Sequence, residues 1–112
     1  MGRLIKQGDV CWYSFRAPDK RRPVLILTHT SAISYLNSVT VAQLTTTIRG
    51  VPSEVLLTPD LDGVFEGCVV NAYNLQTVMK DRIGDLITQL SSERMREVRA
   101  VIEFALGFHA LV

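Results

Sequence analysis

The sequence predicts a mainly β protein: a small, strongly curved SH3-like barrel with one C-terminal α-helix. Three observations predict it. Short runs rich in β-branched and aromatic residues recur along the chain, separated by Gly, Pro and Asp turn signals. No alternation of strands with long helical patterns, the mark of a parallel sheet, interrupts them. The one extended 3.6-residue periodicity comes last, between residues 91 and 106.

Gly8-Asp9 reads as a turn and residues 10–15 (VCWYSF) as the first strand. A polar loop over 16–21 carries a Pro-Asp turn signal. Pro23 fixes its own φ and pushes Arg22 into extended backbone, so it marks the start of a second strand over 23–30. The apolar run Val24, Leu25, Ile26, Leu27 reads as a strand covered on both faces. Residues 31–38 form a mixed connection with one helical turn. Residues 39–47 alternate and end in three threonines, giving a third strand broken by Arg49-Gly50-Val51-Pro52. A fourth strand follows over 53–58, a turn-rich loop over 59–63 and a fifth strand over 67–72. Residues 75–78 either continue that strand or form another. Residues 80–84 read as a helical turn stopped by Gly84, and 85–90 as a last short strand, for five to seven strands in all.

The terminal helix carries the clearest signals. Ser91 can cap it, and Glu93 suits the positive end of the dipole. Met95, Val98, Val101, Ile102, Ala105 and Leu106 share one face, and Gly107 sits where a helix stops. The apolar residues beyond it, Phe108, Leu111 and Val112, exceed what one small core hides, a hint of a subunit interface.

At 112 residues the chain has room for one core, so residues 1–112 are expected to form a single domain. Its 47% hydrophobic and 21% charged content is ordinary for a soluble globule. No apolar run reaches the roughly 18 residues of a membrane span. No signal peptide is legible at residues 1–6, so the expected location is cytoplasmic. Cys11 and Cys68 read as buried free thiols, and two cysteines without a histidine pair cannot build a four-ligand zinc site. No metal and no cofactor is expected. The net charge of +1 hides an asymmetry: residues 1–52 carry +5 and the remainder −4, which hints at a polyanionic partner for one face.

Motifs for nucleotide hydrolysis, dinucleotide binding, zinc proteolysis and α/β-hydrolase chemistry are missing. Only His29 and His109 are present, which argues against a two-histidine acid–base pair, and His29 reads as a polar strand-end residue. Arginine and hydroxyl chemistry remain. Lys20, Arg21 and Arg22 run straight into the second strand, and a guanidinium at the rim of a rigid sheet suits phosphate oxygens. A charge run by itself more commonly just faces water. Thr45, Thr46 and Thr47 end the third strand, where threonine is also simply a good strand former. Should the two sets meet at one rim, they offer a guanidinium and hydroxyls around a phosphate. RNA carries its own nucleophile in the 2′-hydroxyl.

The ordered set of short motifs resembles the MazF/PemK family. It comprises Gly8-Asp9-Val10 with Trp12, Arg22-Pro23-Val24-Leu25-Ile26-Leu27, Leu44-Thr45-Thr46, Gln76-Thr77-Val78 with Lys80 and Arg82-Ile83-Gly84, and Leu90-Ser91 with Glu93-Arg94-Met95 and Glu97-Val98. The likeness spans about residues 5–108. It implies a toxin of a type II toxin–antitoxin system on the plasmid-maintenance-toxin barrel shared with CcdB. Such a toxin is a homodimeric, metal-independent endoribonuclease (an mRNA interferase) that cuts single-stranded RNA and is neutralised by a cognate antitoxin. By position, the resemblance implies Arg22 and Thr45 as catalytic residues. Attack by the 2′-hydroxyl would leave a 2′,3′-cyclic phosphate and a 5′-hydroxyl. It further implies Thr46 and Gln76 in the RNA groove, with Lys20, Arg21 and Lys80 as RNA-binding cations. Where many members read Gln-Ile-Arg-Thr, this chain has Asn74-Leu75-Gln76-Thr77, and its loop before Arg22 is shorter. The alternatives are a gyrase poison of the CcdB type and a degenerate toxin that binds antitoxin or RNA without cleavage.

Overall fold

The computed structural model describes residues 4–15 and 21–111. Six strands form one antiparallel sheet in the order β4-β5-β3-β2-β1-β6. They are β1 (Asp9–Ser14), β2 (Arg21–Ile26), β3 (Ser38–Thr45), β4 (Glu54–Leu57), β5 (Cys68–Met79) and β6 (Ile83–Gln89). Helix α1 (Thr30–Ile33) follows β2, α2 (Pro59–Asp62) follows β4, and α3 (Ser92–Ala105) closes the chain with a short 3₁₀ turn, Phe108–Ala110, behind it. The mainly β barrel with a C-terminal helix is therefore as expected.

Alternation along the strands builds two apolar layers. Val10, Leu25, Ala42, Leu44, Val70 and Leu90 face one way and pack with Val98 of α3. Cys11, Val24, Ile26, Val39, Val41 and Val78 face the other way, over Ile33 of α1. The buried run in β2 is thus covered on both sides, which is why it lacks a polar face. Helix α3 starts where Ser91 Oγ accepts the Arg94 N–H at 3.1 Å, and it ends before Gly107 at φ 79°. Of its apolar stripe, Val98 is buried and Met95, Val101 and Ile102 pack against the core, while Leu106, Phe108 and Leu111 stay exposed.

Four local expectations are corrected. Residues 59–63 form a helical turn rather than an open loop: Thr58 caps it, Pro59 occupies the first turn, and Gly63 stops it in the left-handed region at φ 76°. Residues 67–78 are one strand of 12 residues, β5, kept continuous by an irregularity opposite Ala42–Leu44 of β3. Gly84 lies inside β6 and stops nothing. A Cβ there would stand 3.1 Å from the Trp12 carbonyl oxygen, so the strand approaches β1 only because the side chain is absent. Pro23 lies inside β2, which begins at Arg21 and ends at Ile26, earlier than expected.

Strands β4 and β6 are the two edges of the sheet, and α2 reaches from one to the other. Thr88 Oγ1 of β6 donates to the Asp62 carbonyl at 2.9 Å. The Asp62 carboxylate accepts the Thr58 N–H at 2.8 Å and two bonds from the Arg94 guanidinium of α3, at 2.9 and 3.2 Å. Burial alone would raise this carboxyl's pKa, but the bonds from Arg94 and Thr58 outweigh it and hold the group below its ordinary value of 3.8. A lowered carboxylate pKa stabilises the fold above the unfolded-state value and loses that contribution as pH falls through the folded-state value. Asp62→Asn should therefore cost about 2–3 kcal/mol near neutral pH. Denaturant titrations should show the gap to the wild type intact at pH 7 and narrowing below about pH 4.

Cys11 and Cys68 are free and buried, as expected. Burial, aided by the charges of Glu66 and Asp62, pushes the Cys68 thiol up to about 11. At pH 8 a disulfide reagent should leave both thiols unmodified in the folded protein and count both once it is unfolded.

Candidate functional site

Strands β2 and β3 part company partway along. Their ladder runs Ile26↔Val41, Leu25↔Ala42, Val24↔Gln43 and then ends. The cause lies in the next residue of β2. Leu27 N–H donates to the Thr40 carbonyl across this ladder. Backbone groups on alternate residues point the same way, so the N–H that Pro23 lacks would have pointed at β3. Each strand is nonetheless held straight by its outer neighbour. On one side, β1 pairs Trp12↔Pro23, Tyr13↔Arg22 and Ser14↔Arg21. On the other, β5 pairs Leu44↔Val70 and Thr45↔Val69. Continuing the β2–β3 register past its last rung sets Arg22 opposite Thr45 and Arg21 opposite Thr46. All four line one cavity of about 290 Å³.

The cavity wall is built from three directions. Trp12 reaches it from β1, at a point where the β1–β6 register shifts between Cys11 and Tyr13 opposite Gly84. Such an irregularity re-aims a side chain. The Arg21 guanidinium carbon lies 4.1 Å from the centre of the Trp12 ring, within cation–π range. Phe65 and Glu66 arrive on the loop between α2 and β5, which Val64, buried in the core, pins in place. The Phe65 and Trp12 rings stack at 5.9 Å and 21°. Cys68 also lines the cavity, and with its thiol held neutral it offers no nucleophile at neutral pH.

The polar groups are poised for an anion. Among the described residues no carboxylate forms an ion pair with Arg21 or Arg22; the three such pairs all involve α3. Thr45 Oγ1 accepts the Thr47 N–H at 3.1 Å, which fixes the hydroxyl oxygen and leaves its proton to donate outward. No group of three or more potential metal-ligating side chains gathers among the described residues.

The remaining residues singled out from sequence lie elsewhere. Gln76 is exposed on β5, opposite Val41, and does not line this cavity. Lys80 donates from Nζ to the Ile33 carbonyl at 2.8 Å and lines a second opening with Ile5 and Asp81. Lys20 lies outside the described residues. His29 caps α1, its Nδ1 accepting the Ser31 N–H at 3.1 Å. Sequence reasoning missed Phe65 and Glu66, and it read Trp12 only as a strand residue. An aromatic flanked by two glycines in Gly63-Val64-Phe65-Glu66-Gly67 was the available signal.

Comparison with known proteins agrees with this architecture. The probable endoribonuclease MazF5 of Mycobacterium tuberculosis is 35% identical over 105 residues, covering 94% of this chain and 95% of the relative. The solved Mycobacterium tuberculosis toxin MazF-mt6 superposes with a TM-score of 0.75 at 32% identity, over 87% of this chain and 96% of that one. A mycobacterial endoribonuclease solved in complex with its cognate antitoxin superposes with a TM-score of 0.79 at 29% identity, over 92% and 95%. A family profile described as a PemK-like, MazF-like toxin of type II toxin–antitoxin systems matches residues 6–106. With nearly the whole chain matched and the motif residues in place, the protein belongs to the MazF/PemK family of toxins.

Proposed function

We propose that this chain is the toxin of a type II toxin–antitoxin pair and cuts single-stranded RNA at the cavity between β2 and β3. The reading rests on one observation above all: Arg22 and Thr45 stand at facing positions where the two strands separate. A phosphodiester in that opening would meet a guanidinium from one side and a hydroxyl donor from the other. The 2′-hydroxyl of the substrate attacks its own 3′-phosphorus, and the 5′-oxygen leaves. The products are a 2′,3′-cyclic phosphate and a 5′-hydroxyl end. Charge grows on the non-bridging oxygens as the phosphorane forms, and a preorganised guanidinium stabilises it more than it stabilises the ground state. Arg22 supplies that stabilisation and a proton for the leaving oxygen, while Thr45 holds the phosphate. Arg21 and Thr46, one position further out, engage the neighbouring backbone, with Lys20 in the adjoining loop. Gln76 and Lys80 then belong to the outer path of the RNA, away from the bond that breaks.

In this reading residues 1–112 act as a single domain, two copies form a homodimer in the cytoplasm, and a cognate antitoxin covers the groove. The exposed apolar side chains Leu106, Phe108 and Leu111 support an intersubunit contact. Relatives bearing endoribonuclease names favour cleavage over a gyrase-poison mode.

Arg22→Ala and Thr45→Ala should each lower single-turnover RNA cleavage by about 100-fold or more. Both should keep the wild-type unfolding midpoint, since both side chains sit at the rim. Thr45→Ser should retain most of the rate, and cleavage should persist in EDTA with cyclic-phosphate ends detectable by mass spectrometry. Wild-type rates in both alanine variants would refute the assigned roles.

A further inference from the structure

The cavity has two chemically different ends. One carries Arg21 and Arg22. The other carries Phe65, whose side chain is 74% exposed although a core position, Val64, lies beside it. An aromatic ring held in the open by its buried neighbour needs a partner to cover it. Its other contacts are already made: it stacks on Trp12, and Trp12 in turn carries the Arg21 guanidinium. The three flat groups form a row that leads from the phosphate-binding end to a free ring. Glu66 stands beside that ring, so its charge disfavours a second phosphate there. A neutral planar group, attached to a phosphate at the arginine end, fits this pattern. An unpaired nucleobase is such a group.

We infer that Phe65, backed by Trp12 and Arg21, is a stacking platform for one unpaired base next to the cleaved bond. The inference rests on the ribonuclease reading above and adds to it a residue that grips the base. Every base has a π-face, so stacking supplies affinity without reading sequence by itself. At 290 Å³ the cavity is at the small end of ligand sites, of roughly 300–1,000 Å³, which suits one nucleotide rather than a longer segment. Arg21 has a second task in this arrangement. Its contact with Trp12 fixes the position of its charge and stiffens the row from behind.

The test uses the full-length protein and a set of oligoribonucleotides containing one cleavage site. In each member a single base is replaced by an abasic sugar, at successive positions around the cut. With wild-type protein, one abasic position flanking the cut should weaken binding about tenfold or more, as loss of a base–aromatic stack does. Binding is read with 2′-O-methyl at the cut so that the chain stays intact. In Phe65→Ala the intact oligonucleotide should bind about tenfold more weakly, and the same abasic replacement should then cost nothing further. Phe65→Trp should bind as tightly as the wild type. Phe65→Leu, which keeps apolar bulk without a π-face, should behave as the alanine variant does. The ring is exposed, so all three should unfold at the wild-type midpoint. The inference is overturned if RNA is bound and cleaved by the wild type but the abasic penalty is unchanged in Phe65→Ala. It is also overturned if the variants bind RNA normally and lose affinity only for a protein partner, which would make the platform a peptide site. Failure of the wild type to cleave any RNA instead removes the ribonuclease reading and this inference with it.

Discussion

A missing hydrogen atom shapes this molecule. Pro23 has no N–H to give, and the group it lacks is the one that would have extended the ladder between the second and third strands. Both strands continue past that point, each supported by the neighbour on its far side. A gap within a sheet normally exposes backbone groups that demand partners. Here the gap occurs at the sheet rim, where solvent or substrate can satisfy them. The cavity is therefore a feature of strand pairing, with its walls set by the two flanking ladders and not by a flexible loop. Side chains at the ends of paired strands are held more accurately than side chains on loops, and chemistry at phosphorus depends on such accuracy.

Around this opening the rest of the fold acts as a frame. The two apolar layers fix the pitch of β1, β2 and β3, and so the distance across the gap. Helix α3 packs on the layer that holds Leu44, and through Arg94 it also grips α2, the element that precedes the Phe65 loop. Packing on one face of the sheet and a charged contact at its edge thus converge on the same few residues. The charge distribution follows a similar logic. The cations of the first half of the sequence gather at the mouth, while the carboxylates of the second half are spent on α2 and α3, where Asp62, Glu97 and Glu103 pair with arginines.

The fold was legible because its signals are local. Ser91 and Gly107 bracket the helix, and β-branched runs mark the strands. The joint role of Arg22 and Thr45 was legible only through family resemblance, since the two are far apart in sequence and composition says nothing of register. What sequence reasoning misplaced has a common cause. Gly84 and Pro23 were read as local punctuation, a stop and a start. Each in fact answers to a neighbouring strand: Gly84 to the Trp12 carbonyl, Pro23 to the absent rung with β3. Thr58-Pro59 through Gly63 carries a complete set of helix signals, but a four-residue helix has no periodicity to reveal it. Phe65 escaped notice because an exposed ring acquires meaning only from Trp12, more than fifty positions earlier.

The short α2 clasp has a further consequence. An open antiparallel sheet has two raw margins, and either can recruit strands from other molecules. Here one margin, β4, is only four residues long, and the other, β6, is tethered to α2 through Thr88. A side chain at Gly63 would strike the Thr88 hydroxyl at 2.6 Å, so the tether tolerates no bulk. Loosening it would leave β6 free along its length. The same glycine that ends a helical turn thereby guards the protein against polymerising through its own edge.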